Sequence, residues 1–176
     1  GVSITSTNSP GRSWLVRSTQ AFSQTWLNEV GFAYAYGAII SDPTGLVNKS
    51  NSPDIQVALP FASTLPRVPA VAPGYSSVTG FGSYRDFNRD YNIYDNVTHI
   101  QGNHSIKFGV NFHRYQKTEN AGGNNVGSFA FSNTPRPTGT TAAQQQWANF
   151  LLGNVSTFTQ DSADFTPDVR SRQIEF

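Results

Sequence analysis

The chain has 176 residues and a formal net charge of +1, with 13% charged and 13% aromatic residues, where an average soluble domain is about 25% charged. Its Lys and Arg residues stand singly rather than in runs, which excludes the electrostatic footprint of a nucleic-acid partner. No stretch approaches the roughly 20 apolar residues of a transmembrane helix, and the N-terminus lacks the zones of a signal peptide. Neither absence weighs against a membrane barrel, whose strands are short and alternate. The absence of Cys fits an envelope protein that folds without disulfides. With no Met and with Gly1 first, the chain is expected to be processed or cut from a longer one.

Residues 12–22, a two-residue turn at Ser23-Gln24 and residues 25–36 are expected to form a β-hairpin. Its return strand has a bulky face of Trp26, Val30, Phe32, Tyr34 and Tyr36, with Asn28 the polar member, and a mostly small face of Thr25, Leu27, Glu29, Gly31, Ala33 and Ala35. Residues 37–88 carry prolines at 43, 53, 60, 66, 69 and 73, too many for central strands, and are expected to be a long loop. A second hairpin follows over residues 89–117. Its first strand alternates moderately, with Tyr91, Ile93, Val97 and His99 on a face that Asp95 interrupts. Gly102-Asn103 suits the positive φ of a tight turn. The return strand alternates without a fault, Ile106, Phe108, Val110 and Phe112 against Lys107, Gly109, Asn111 and His113, a period of two that a helix does not produce.

After residue 117 comes a Gly/Asn-rich loop at 121–125, a short strand at 128–131 and a loop at 135–141. Residues 141–152 read as a short helix closed by Gly153, and residues 154–162 and 169–176 resume strand-like alternation. Strands that reach the roughly 9 to 11 residues of a tilted membrane crossing, rather than the usual 5 or 6 of globular strands, predict an all-β fold. The expected architecture is an antiparallel up-and-down meander, part of a transmembrane β-barrel with long extracellular loops and one short loop helix. Residues 1–176 form one architectural unit in this reading. The face of Trp26, Phe32, Tyr34 and Tyr36 is expected to meet lipid, and Glu29, Lys107, Asn111 and His113 to line the interior. The alternative is the inward face of a soluble sandwich.

The run Tyr94-Asp95-Asn96-Val97-Thr98, then Gly102, His104-Ser105-Ile106-Lys107-Phe108-Gly109, Phe112 and Arg114, resembles the barrel of TonB-dependent receptors of the Oar-like kind. Asn28-Glu29 with Gly31, Phe32 and Tyr34 is similar to another strand of that barrel, and Asn149-Phe150-Leu151-Leu152-Gly153 to its loop helix. The resemblance implies a bacterial outer-membrane barrel of about 22 strands, enclosing a plug and coupled to TonB through a peptide ahead of the plug. This chain would be an internal part of the barrel wall, without plug or remaining strands. The parent would import a bulky nutrient, a metal chelate or an oligosaccharide. Its partners would be outer-membrane lipid, the rest of its own barrel and plug, TonB, and an extracellular ligand that the sequence does not name. The alternative function is a secreted or surface β-sandwich that binds carbohydrate or mediates adhesion.

No constellation points to catalysis, and the chain is expected not to be an enzyme. His99, His104 and His113 are the histidines; a metal site needs three or four convergent ligands and an oriented second shell, so they read as interfacial or lumen-facing polar side chains. Asp86, Asp90 and Asp95 are spaced at four and five, which does not bring two carboxylates together as glycoside hydrolysis requires. A nucleophile-elbow G-x-S-x-G is missing. The sequons at Asn48, Asn96, Asn103 and Asn154 read as chance matches in a chain rich in Asn, Ser and Thr. No cofactor is expected. Ligand contacts are expected in the loops 42–86 and 119–125, since loops carry recognition on rigid scaffolds.

Overall fold

A computed structural model describes residues 2–120, 123–162 and 166–176. Their elements in chain order are β1 Thr5–Asn8, β2 Gly11–Ala21, β3 Trp26–Pro43, β4 Ala70–Ala72, β5 Tyr84–Gln101, β6 His104–Glu119, β7 Ser128–Ala130, α1 Ala142–Leu151, β8 Thr157–Thr159 and β9 Asp168–Glu175. The chain divides into two compact units. A strand unit comprises Ser9–Ile39, Asp86–Glu119 and Pro167–Phe176, and a loop unit comprises residues 2–8, Ile40–Arg85 and Asn120–Thr166.

In the strand unit β2 pairs antiparallel with β3 from Gly11↔Gly37 to Ala21↔Leu27, and β3 neighbours β5. Strand β5 pairs with β6 from Gln101↔His104 to Asp86↔Glu119, and β6 with β9 from Asn111↔Glu175 to Thr118↔Asp168. The sequence places both hairpins correctly. The second turn is the expected two-residue one, with Gly102 at φ +59° in its first position, where a hairpin turn that opens on glycine needs it. The first is longer than expected. Residues 22–25 make the connection, with the Phe22 N–H donating to the Trp26 carbonyl at 3.0 Å.

Strands β3 and β5 each run for 18 residues, well past their expected limits at Tyr36 and Arg89. At about 3.3 Å per residue such a strand spans about 60 Å, more than a tilted bilayer crossing uses. Part of each strand therefore stands clear of the hydrocarbon.

The strand unit has almost no dry interior. The buried apolar side chains Val47, Leu65, Val68, Val126 and Phe131 all belong to the loop unit, and among the described residues the strand unit adds only Ala38. β2 and β9 are exposed along their whole length. Alternating strands with an uncovered apolar face are what a sheet facing lipid requires.

The loop unit is more than the structureless connection expected from its prolines. β1 pairs with the end of β3, from Thr5↔Pro43 to Asn8↔Ile40. β4 lies between Pro69 and Pro73 and pairs parallel with β7, which pairs antiparallel with β8. Proline is tolerated here because these strands are three residues long and the prolines flank rather than enter the ladder. α1 forms as expected, capped at Thr141 by a reciprocal box with Gln144 and ended by Gly153 at φ +71°.

The base of the long loop is tied by Asp42. Its carboxylate accepts from Arg85 at 2.9 and 3.0 Å and from the Ser83 hydroxyl, while Asn120 donates to the Ser83 carbonyl at 2.7 Å. The Ser83 hydrogen bond first, and then Arg85, hold the Asp42 carboxyl below its ordinary pKa of 3.8. A carboxyl lowered on folding contributes stability above its unfolded pKa and loses it as pH falls through the folded value. The Asp42 side chain is 43% exposed, so solvent screening limits the pair to under about 1 kcal/mol. Pepsin cleavage within residues 44–83 is accordingly expected to rise below pH 3.8. Asp42→Ala should reproduce that susceptibility near pH 5, and an unchanged cleavage rate in the variant would remove Asp42 from this role.

Candidate functional site

Within the loop unit an apolar cleft of about 490 Å³ is lined chiefly by Leu46, Ile55, Val68, Val71, Trp147 and Phe150. Trp147 and Phe150 stand three apart on α1 and so share one helix face, their ring centroids 5.3 Å apart. Tyr75 meets Trp147 edge-on at 6.2 Å, and Phe131 meets Phe150 at 5.4 Å. The helix is fixed by Gln146 donating to the Phe131 carbonyl at 3.2 Å and Asn149 donating to the Ser132 carbonyl at 2.8 Å. Gly74, at φ +106°, allows the helix to come close, because a Cβ there would lie 2.7 Å from the Ala143 carbonyl oxygen. Val71 and Val78 exchange backbone hydrogen bonds at 2.9 and 2.7 Å, and Val68 donates to the Val47 carbonyl at 2.8 Å. Among the described residues no titratable side chain lines the cleft. It can hold ring faces and apolar surface, with the Ser52 and Ser76 hydroxyls as its polar side chains.

Arg67, beside this cleft in sequence, is a structural tie. It donates to the Gly80 carbonyl and, at 3.1 Å, to that of Gly123, and burial lowers its pKa.

The strand unit presents two chemically distinct faces. One carries a chain of polar contacts: His113 to Asp90 at 2.5 Å, Asn92 to Asn111 at 2.7 Å, Tyr115 to Asn88 at 2.5 Å, Asn111 to Glu175 at 3.4 Å, and Lys117 between Glu119 and Asp86. The other carries an apolar band that includes Trp14, Val16, Phe32, Ile93, Phe108, Phe112 and Ile174. Register joins these positions within each pair, and the Trp26–His99 stack at 4.1 Å and the Tyr34–Tyr91 contact at 5.0 Å join β3 to β5 on that side. A wall between lipid and a wet interior needs this partition. Asp95 interrupts the apolar band between Ile93 and Val97. Its carboxylate accepts from the buried Asn28 amide at 2.5 Å, a charge-assisted bond that offsets the cost of a carboxylate on that face.

The residues weighed in the sequence are thus dispersed. His113 joins the polar face, whereas His99 stacks on Trp26 and lies 3.2 Å from the Thr25 carbonyl oxygen. Among the described residues no three metal-ligating groups converge. Asp86 and Asp90 share the polar face with separate partners, and Asp95 stands on the other. Asn48 caps a turn, accepting from Ser50 N–H at 2.9 Å and donating to the Pro43 carbonyl at 2.7 Å. Asn96 packs against Gly109, Asn103 sits in the hairpin turn, and Asn154 closes the turn after α1.

Residues 42–86 supply most of the cleft lining. Of residues 119–125, Ala121 and Gly122 lie outside the described residues and the others do not line it. The sequence reading missed Trp147 and Phe150 as site residues. Their signal was available, as an aromatic pair at helical spacing in a helix with no buried residue.

A family model described as an outer membrane beta barrel domain matches residues 3–176. Comparison with curated proteins and with solved structures gives no match. The family places the protein in the bacterial outer membrane, where the apolar face has lipid to meet and the polar face water. The chain belongs to the outer membrane beta barrel domain family.

Proposed function

We propose that this chain is part of the wall of a TonB-dependent receptor that imports a bulky nutrient, a metal chelate or an oligosaccharide, and that it performs no catalysis. In this reading residues 1–176 are a partial barrel domain, with the plug, the remaining strands and the TonB contact supplied by the rest of the parent protein. The observation that carries it is the aromatic cleft, which is free of ionisable groups and built on the long connections between membrane-length strands. Recognition sits on such loops, and the Trp147 and Phe150 rings offer broad, rigid surface to the ring faces of a sugar or the apolar side of a chelate. The Oar-like hairpin motifs support the family, and the polar strand face would suit a hydrated lumen.

The test is uptake by cells carrying the full-length protein, over a panel of iron chelates and oligosaccharides. One class of bulky nutrient is expected to need both this protein and TonB. Trp147→Ala should lower its uptake about tenfold, the loss of roughly 1.4 kcal/mol of binding, with the amount of protein in the membrane unchanged. Uptake that persists in TonB-deficient cells would overturn the proposal.

A further inference from the structure

The apolar face of the strand unit ends in a belt of arginines and aromatic rings. Arg12 and Arg89 lie over the Tyr36 ring, 5.2 and 5.8 Å from its centroid, and Tyr34, Tyr91 and Trp14 stand one step nearer the apolar band. Arg114 and Arg172 are directly opposite one another in the β6–β9 register, and side chains directly opposite share a face of the sheet. Like charges so placed repel and destabilise the pair. Among the described residues no carboxylate forms an ion pair with Arg12, Arg89, Arg114 or Arg172, although Arg170 is paired with Asp168 at 2.6 Å. Arg114 Nε is buried without a hydrogen-bond partner.

These residues mark the end of β3, β5, β6 and β9 from which the long segments 44–83 and 120–167 leave, not the end joined by short turns. In outer-membrane barrels long loops are extracellular and short turns periplasmic. The belt therefore lies at the outer leaflet, beside Phe112 and Ile174, the next apolar pair of the same register.

We propose that this face binds a phosphorylated lipid of the outer leaflet, its phosphates held between Arg114 and Arg172 and its acyl chains along the apolar band. Guanidinium forks match phosphate oxygens in bidentate geometry. Such an anion removes the Arg114–Arg172 repulsion, and a lipid supplies it at the depth where these side chains emerge. The site faces away from the polar lumen face, so it does not depend on transport or on TonB.

The test is native mass spectrometry of the full-length protein in detergent, titrated with lipid A, with dephosphorylated lipid A and with inorganic phosphate. Lipid A is expected to bind. Removing its phosphates should weaken binding at least tenfold, and inorganic phosphate should not displace it. Arg114→Gln with Arg172→Gln should weaken binding at least tenfold, whereas Arg17→Gln on the opposite face should leave it unchanged. Arg172→Gln alone, on a strand exposed throughout, keeps the test available if the double variant does not fold, with a several-fold loss expected. Equal binding of lipid A and its dephosphorylated form, or by wild type and the arginine variants, would overturn the proposal, as would displacement by inorganic phosphate.

Discussion

Expressed alone in plain buffer, the 176-residue chain is expected to aggregate, and to become monodisperse and β-rich only in detergent micelles. The strand unit leaves Trp14 and Val16 each 65% exposed, Phe108 54% and Ile174 58%, all on one face. Monomeric soluble proteins rarely expose a contiguous apolar patch beyond a few hundred Å², and at about 25 cal/mol per Å² the gain from covering such a face drives association in water. β2 and β9 also end the sheet with unpaired backbone groups among the described residues, which templates edge-to-edge association. A soluble sandwich would need a second sheet over the apolar face, and the other sheet consists of strands of three residues. Circular dichroism and sedimentation velocity, with and without detergent, decide the matter. A monodisperse β-rich monomer in buffer would sink the membrane-wall reading and revive the sandwich.

The hairpins were legible because one side of each strand meets an apolar medium and the other a polar one, so the period of two is written directly into positions 106–113. It failed where that contrast ends. From Gly37 to Pro43 the run Gly-Ala-Ile-Ile-Ser-Asp-Pro has neighbouring apolar residues and no alternation, yet it is still strand, because Gly11 and Pro10 partner its start and β1 pairs with residues 40–43. The early part of β5, Tyr84 to Asn88, reads as polar loop for a related reason. Its side chains are held by ion pairs and amide contacts instead of by lipid. The two units left no boundary in the sequence since each is assembled from three separated stretches. The cleft was legible in half. Its residues between 46 and 78 fell within a segment expected to carry recognition, but their convergence with Trp147 and Phe150 depends on short pairings such as Val71↔Phe129, which leave no periodic trace.

Gly31→Val is expected to destabilise the strand unit by about 2 to 3 kcal/mol or to prevent the β3–β5 pairing altogether. A Cβ at Gly31 would lie 2.4 Å from two carbons of the Tyr94 ring and 2.6 Å from its hydroxyl. The ring of Tyr94 thus lies over the bare backbone of Gly31, so that a bulky residue on β5 fills the space that a missing side chain leaves on β3. Glycine inside a strand is otherwise a weakness, in entropy and in lost packing, and covering it with an aromatic ring offsets that loss. Tyr94→Ala should cost about 1 to 3 kcal/mol for the buried ring surface it removes. If the two residues act as one contact, the double variant Gly31→Val with Tyr94→Ala should be more stable than the sum of the single losses predicts, by about 1 kcal/mol or more. Urea unfolding of the full-length protein from lipid vesicles, run for wild type, both single variants and the double variant, measures that coupling. Strictly additive losses would mean that Gly31 is there for the backbone alone. A positive coupling would identify why a strand with so bulky a lipid-facing side keeps Gly31, Ala33 and Ala35 on its other side: the small residues are sockets for the larger side chains of the neighbouring strand, and they fix the register that keeps Asn28 against Asp95.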